Sequence, residues 1–342
     1  MTKIFVVATA VAAGIIAPSA LGRPPESSVD YTIVDRIAGP DGGWDYANID
    51  SARARLFVAR SDSTMRVDLA SKQVMPALAP AEHGHQVLPL PSSDDLLQTN
   101  GASGLVRLIN AETGKVDAEI ATGKDPDAGF WDAATRQLVI MNAKDGTVAL
   151  LDATAHRITG RIAVGGGLEF GVPDGNGVAY VNIEDRNAIA AIDLRKQTVT
   201  RRIALSGCDG PTGLALVAGG TRLISACANG VAVVVDPKAG KVVATLSIGS
   251  DPDAVLVDPA RHLAFIPCGG SGTLVAIDTA RADRIRVVAT INTQVGAKTG
   301  ALDPKTGRIY LPTATLMPPE PGAKRGKPMP GTFSILVLVP SR

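Results

Sequence analysis

A short apolar–acidic step recurs through this chain at nearly constant spacing. A β-branched residue or Leu followed by Asp or Asn occurs as Val67-Asp68, Ile109-Asn110, Leu151-Asp152, Ile192-Asp193, Val235-Asp236 and Ile277-Asp278. The successive intervals are 42, 42, 41, 43 and 42 residues. About ten residues before each anchor lies a short strand-type segment, such as Leu97-Gln98-Thr99-Asn100, Tyr180-Val181-Asn182 or Ile266-Pro267-Cys268. After each anchor come a polar turn, as in Glu112-Thr113-Gly114-Lys115, and a Val/Ile-rich strand, as in Val242 to Ile248. A Gly- or Pro-rich loop then restarts the cycle. Apolar residues alternate or cluster in short runs, which is strand periodicity and not helix periodicity.

Each unit thus predicts four short strands. One such sheet cannot bury both faces alone, but sheets packed radially can, and that arrangement is a β-propeller. The six anchors give six blades. A seventh starts near Val295, continues through Ala301-Leu302-Asp303 and Ile309-Tyr310-Leu311, and ends with Ser334 to Val339. It lacks an outermost strand. Tyr31 to Ala38 supplies one, because Asp35-Arg36-Ile37-Ala38 matches Gly160-Arg161-Ile162-Ala163 in an outer-strand position. The expected fold is all-β, a seven-bladed propeller of four-stranded antiparallel blades whose ring is closed by the N-terminal strand. The segment 314–331, rich in Pro and carrying Lys324, Arg325 and Lys327, reads as an exposed loop within this single domain over residues 23–342.

The units Gln98-Thr99-Asn100, Tyr180-Val181-Asn182 and Ala191-Ile192-Asp193 resemble degenerate copies of the YVTN-type β-propeller repeat. The resemblance spans roughly residues 31–342 and implies an exported prokaryotic propeller. Relatives of that type include binding proteins, single-stranded-DNA binders, surface-layer components and dehydrogenase heavy chains, so it implies the architecture and leaves the activity open. Gly42-Gly43-Trp44-Asp45-Tyr46, Pro252-Asp253-Ala254 and Tyr310-Leu311-Pro312-Thr313-Ala314 resemble an exported subgroup.

The repeat also aligns one position per blade where an outer strand leads into the next inner strand, at the channel mouth. Counting back from the residue that ends each second strand gives Asp45, His85, Asp127, Glu169, Thr212, Asp253 and Lys298. Four carboxylates against one Lys make this ring acidic, and crowded carboxylates either rise in pKa or draw in a cation. Asp45, His85, Asp127 and Glu169 lie on consecutive blades and form a candidate metal set whose oxygen-rich chemistry suits Ca²⁺, Mg²⁺ or Mn²⁺. His83 lies nearby and ranks second to His85. The alternative is a solvated polar rim in which Lys298 pairs with Asp253 and Asp45. Asp125-Pro126-Asp127 and Asp251-Pro252-Asp253 are good turn formers in any case. Trp44, Phe130 and Phe170 stand near the ring, either walling a pocket or packing between blades, in a chain with only 6 Phe, 4 Tyr and 2 Trp.

Residues 1–22 read as an export signal. Lys3 precedes an apolar run from Ile4 to Ala17, and Ala20-Leu21-Gly22 offers small residues before Arg23. The run falls short of the ~20 residues a membrane span needs, so no span is expected after cleavage and the protein should be periplasmic or secreted. Export permits one disulfide among Cys208, Cys227 and Cys268. Cys208 enters an inner strand and Cys227 ends the second strand of the same blade. Antiparallel strands put those two points on one face, which favours Cys208–Cys227 and leaves Cys268 free.

Formal charge is +1, from 34 basic and 33 acidic residues, and this gives no electrostatic case for nucleic acid. Gly165 to Gly167 lacks GxGxxG spacing, and no GxSxG, HExxH or EF-hand pattern occurs. The leading expectation is an exported monomer that binds a small-molecule or cationic ligand at the mouth. The alternative is a metal-assisted lyase or hydrolase with His85 as catalytic base. Single-stranded nucleic-acid binding follows from family resemblance only, and a subunit role in an electron-transfer complex is a further option.

Overall fold

The recurrent acidic residue makes a turn. Asp68 Oδ1 accepts the backbone N–H groups of Ala70 and Ser71 at 3.1 and 2.7 Å. Asn110 does the same for Glu112 and Thr113, Asp152 for Thr154 and Ala155, and Asp193 for Arg195 and Lys196. A carboxylate or amide that satisfies the next backbone donors stops the strand and reverses it, so the same chemistry recurs wherever the third strand of a blade ends.

The computed structural model describes residues 1–2, 29–91, 93–322 and 325–341. The expected export signal over residues 1–22, apart from Met1 and Thr2, lies outside the described residues, as does Lys324. The described residues form seven four-stranded antiparallel sheets. Six of them occupy residues 44–80, 84–121, 126–163, 168–204, 211–247 and 256–292 in chain order, blades 1 to 6. Blade 7 contains Ala301–Leu302, Ile309–Thr313 and Ser334–Pro340, and its outermost strand is Tyr31–Ala38. That strand pairs antiparallel with Ser334–Pro340, from Tyr31 opposite Pro340 to Ala38 opposite Ser334. The ring closes as the sequence indicates.

Among the described residues six apolar clusters each join two neighbouring blades, and the seventh joins blades 3 and 4 and takes in Tyr46 from the inner strand of blade 1 and Ala254 from the entry to blade 6. The closing strand contributes directly. Tyr31 is 4% exposed, meets Phe265 of blade 6 edge-on at 5.0 Å, and shares a cluster with Leu336 and Leu338. Cys208 and Cys227 form the expected disulfide with α-carbons 5.4 Å apart, and Cys268 is a buried free thiol. No described helix is long and apolar enough to cross a membrane.

Two predictions follow from closure. Tyr31→Ala removes a buried aromatic that only the N-terminal strand supplies, and should cost about 3 kcal/mol in urea unfolding; a variant as stable as the parent argues against a clasp that bears stability. Reducing Cys208–Cys227 should cost about 3 kcal/mol by the chain-entropy relation. Alkylation of unfolded, unreduced protein should label Cys268 alone.

Candidate functional site at the channel mouth

In blades 1 to 5 the inner strand begins with a bulge at the ring residue. In blade 1 Trp44 pairs with Arg60 and Ala47 with Val58, leaving Asp45 and Tyr46 opposite one partner residue. His85 and Gln86 of blade 2, Glu169 and Phe170 of blade 4, and Thr212 and Gly213 of blade 5 occupy the same two-against-one position. Asp127 is the extra residue between the Pro126–Asn142 and Ala128–Met141 pairs. In blade 6 the step falls between the Pro252–Cys268 bridge and the Leu256–Phe265 pair, and contains Asp253. A bulge at a sheet edge re-aims a side chain, here into the channel. Lys298 precedes the short inner strand of blade 7.

Hydrogen bonds between blades fix the ring. Thr99 Oγ1 donates to the Asp127 carbonyl at 3.0 Å, Thr299 Oγ1 to that of Asp45 at 2.8 Å, Asn182 Nδ2 to that of Thr212 at 2.7 Å, and Thr212 Oγ1 to that of Pro252 at 3.0 Å. Thr212 therefore buttresses a neighbouring blade with its hydroxyl. Beside the ring, aromatic side chains pack on the inner strands. Tyr46, 4% exposed, lies 5.2 Å from the Phe170 ring, and its hydroxyl donates to the Asp253 carbonyl at 3.4 Å. Phe130, Ala128 and Ala254 belong to the same cluster. Of the three aromatics singled out in the sequence, Phe130 is core, Phe170 packs on Tyr46, and Trp44 packs on Phe333 at 5.4 Å beside the mouth.

The charges are unevenly compensated. His85 Nδ1 lies 2.9 Å from Asp45 Oδ2 and 3.1 Å from Asp127 Oδ1, and Nε2 faces Asp125 Oδ1 at 3.3 Å. Lys298 pairs with Asp253 and lies 3.7 Å from Asp45 Oδ1. Glu169 has no hydrogen-bond or ion-pair partner among the described residues. Burial pushes the Asp45 carboxyl up, but Lys298 and the His85 hydrogen bond outweigh it and hold it below the usual range. Burial foremost, then the charges of Asp45, Asp253 and Asp125, raise Asp127 to about 7 against the pull of His85. Burial followed by Asp127 and Asp253 drives Glu169 well above the ordinary carboxylate range. Burial also raises Asp253, although Lys298 opposes it. For His85 burial acts downward, yet the Asp45 hydrogen bond and the surrounding carboxylates raise it to about 9. The surrounding carboxylates thus favour the protonated form of the His85 imidazole.

The linkage signs follow. The raised His85 value stabilises the fold fully below about 6.5, and that contribution is lost as pH rises through 9. Asp127 acts in the same direction over a lower window: its contribution is complete below about 4 and is lost as pH climbs to about 7, where the buried carboxyl must ionise.

The segment 314–331 is exposed over most of its length but folds back as a small hairpin. Met317 N–H donates to the Lys327 carbonyl at 2.9 Å and Met329 N–H to that of Thr315 at 2.8 Å. Arg325 grips Asp251 with two nitrogens. A cleft of about 150 Å³ opens between this hairpin and the mouth, lined by Trp44, Lys298, Leu316, Arg325 and Pro328 among others. The sequence aligned one position per blade at the mouth, and Tyr46, Asp125, Asp251 and Arg325 lie against those positions without having been singled out for the site. The repeated Asp-Pro-Asp step was the available signal for Asp125 and Asp251, which lie two residues before a ring position. No local pattern announced Arg325.

The chain matches no known family profile and no curated protein. Among solved structures it is similar to Kuenenia stuttgartiensis hydrazine synthase, with TM-score 0.69 and 16% identity over 80% of this chain and 94% of that one. A chain of the mitotic checkpoint complex gives TM-score 0.74 and 14% identity, over 97% and 98% of the two chains. U3-55K gives 0.72 and 11%, over 90% and 98%. The likeness is one of fold alone. Proteins this different in purpose share the ring, so function has to be argued from the mouth.

The His85 carbon-bound proton signals should titrate by NMR with a midpoint near 9. Asp45→Asn should bring that midpoint down by about 1–2 pH units, because an adjacent opposite charge is removed. A parent midpoint near 6.5 would contradict the ion-paired geometry.

Proposed function

We propose that the protein is an exported propeller of the YVTN type that binds a small cationic ligand, organic or a hard divalent cation, at the acidic mouth of its central channel. One observation carries the reading. Lys298 and His85 compensate Asp253, Asp45 and one face of Asp127, and Glu169 has no partner among the described residues, next to Phe170 packed on Tyr46. Burial and the neighbouring carboxylates disfavour the ionised form of half-buried Glu169, and a bound cation supplies the countercharge that lets it ionise. Asp45, Asp127 and Glu169 supply oxygen donors suited to Ca²⁺, Mg²⁺ or Mn²⁺ or to an ammonium group. His85 holds Asp45 and Asp127 in place from the side, and Trp44 with the hairpin cleft supplies an apolar wall for an organic body. The disulfide suits an oxidising compartment and supports export directed by residues 1–22.

Calorimetry on chelator-stripped protein with Ca²⁺, Mn²⁺ and a small alkylammonium tests this. At least one probe should bind with one site per chain. Glu169→Gln should weaken it about tenfold or more, as expected for losing a desolvated charge partner. Binding should tighten as pH rises through 7, because Asp127 must ionise to contribute. A blank for all three probes, in a protein that unfolds cooperatively, overturns the reading.

A further inference from the structure

Outside the ring lies a second circle of positions, two residues earlier in each connecting loop. In blades 5 and 7 it is occupied by Gly210 and Gly296, whose φ values of 61° and 96° are the left-handed conformation that glycine adopts without strain. Blades 2, 3 and 6 carry side chains there, with His83, Asp125 and Asp251 at φ 58°, 59° and 58°. A non-glycine residue held in this region is worth a functional question. Asp251 answers it by gripping Arg325. His83 and Asp125 flank His85, and their backbones are pinned. The His83 N–H donates to the Ser61 carbonyl at 2.7 Å, its carbonyl accepts from Gly101 N–H at 2.9 Å, and the Asp125 carbonyl accepts from Ala143 N–H at 2.8 Å.

Between them lies an unsatisfied pair of atoms. His85 Nε2 and Asp125 Oδ1 are both fully buried and neither makes a hydrogen bond, although they stand 3.3 Å apart. Lys144 engages the other carboxylate oxygen of Asp125, at 3.1 Å, and leaves Oδ1 available. Gly101 borders the gap. A Cβ on this residue would fall 2.7 Å from His85 Nε2 and closer still to Asp125 Oδ1, so only glycine leaves the space open. The His83 ring meets the His85 ring edge-on at 4.5 Å, and one ligand atom each from His83, His85 and Asp125 lie within 4.8 Å of one another. On its other side His85 Nδ1 is hydrogen-bonded to Asp45. A metal-binding imidazole characteristically has its second nitrogen held by a carboxylate in this way, which fixes the ring and its tautomer.

We propose that His83, His85 through Nε2 and Asp125 through Oδ1 form a rim site for a borderline divalent transition-metal ion of the zinc class, with Asp45 as the positioning residue behind His85. Two imidazoles and one carboxylate suit such an ion better than the hard cations suited to the oxygen ring. Three protein donors at about 2.0–2.2 Å leave a fourth position open to water or to a ligand lodged in the mouth. The metal takes the place of the Nε2 proton, which leaves to solvent. This site shares His85 with the ring but uses the opposite nitrogen, so the two readings stand or fall separately.

Zinc calorimetry on the chelator-stripped full chain, with Co²⁺ absorption as the reporter of coordination, decides the matter. One Zn²⁺ per chain is expected, with release of a proton on binding and a visible Co²⁺ band. His83→Gly removes the imidazole while suiting the left-handed backbone, so the variant should fold at least as well as the parent and lose about tenfold or more in Zn²⁺ affinity. Gly101→Ala should weaken Zn²⁺ similarly by filling the gap, and Glu169→Gln should leave it unchanged. Failure of the parent to bind Zn²⁺ overturns the proposal. So does Zn²⁺ binding that survives His83→Gly but is lost in Glu169→Gln, which would place the ion in the ring. Ca²⁺ or alkylammonium binding untouched by His83→Gly bears on the ring alone.

Discussion

Pairing of Tyr31–Ala38 with Ser334–Pro340 is the interaction on which the rest of the ring depends. Each blade buries its faces only against its neighbours, so an open circle would leave two sheets half-covered and two edges unpaired. The closing strand supplies the last ladder and also Tyr31, which enters the interface between blades 6 and 7. Chain ends more than 300 residues apart in sequence are thereby joined, and every blade becomes equivalent in its need for two partners. Such long-range closure gives the inner strands a rigid frame on which charged side chains can be brought together.

That frame makes the mouth electrostatically unusual in a chain of almost zero net charge. Water would screen Asp45, Asp127, Glu169 and Asp253 if they were dispersed. Held together beside Tyr46 and Phe170, they lose most of that solvation and sense one another. Lys298 and His85 answer the charge of Asp253, Asp45 and Asp127, and Glu169 on blade 4 has no countercharge beside it among the described residues. The asymmetry, more than the count of carboxylates, gives the site a direction in which a cation would approach. Arg60 shows how firmly the adjoining loop is held. It is 1% exposed, stacks over Phe333 at 3.9 Å, and donates to the carbonyls of Pro40, Gly42 and Gly43, which fixes the loop that presents Trp44 and Asp45.

His85 connects the two circles of residues at the mouth. One ring nitrogen belongs to the inner carboxylates and the other to the outer loop positions, so a change on either side alters the proton held by the other. The hairpin over 314–331 is tied in by a parallel device, with Arg325 on the outer-circle Asp251 beside the inner-circle Asp253 and Lys298. The mouth is thus layered, with charged ring, outer circle and hairpin built on one repeated backbone geometry.

The architecture was legible in the sequence because each blade repeats the same local chemistry. Asp68, Asn110, Asp152 and their counterparts mark turns by hydrogen-bonding to residues only two or three positions on, and a local rule leaves a periodic trace. The same periodicity aligned Asp45, His85, Asp127, Glu169, Thr212, Asp253 and Lys298 at one position per blade, since a repeat puts equivalent residues in equivalent places whatever their identity. The pairing of Cys208 with Cys227 was legible for the same reason, both lying on one face of one blade. Tertiary structure alone decided what these residues do to one another. That His85 sits between the Asp45, Asp127 and Asp125 carboxylates, that Tyr46 reaches across to the Asp253 carbonyl and that Arg325 returns to Asp251 all depend on distances between blades. Those distances are set by packing around a closed circle, and no segment of chain short enough to show a pattern contains them.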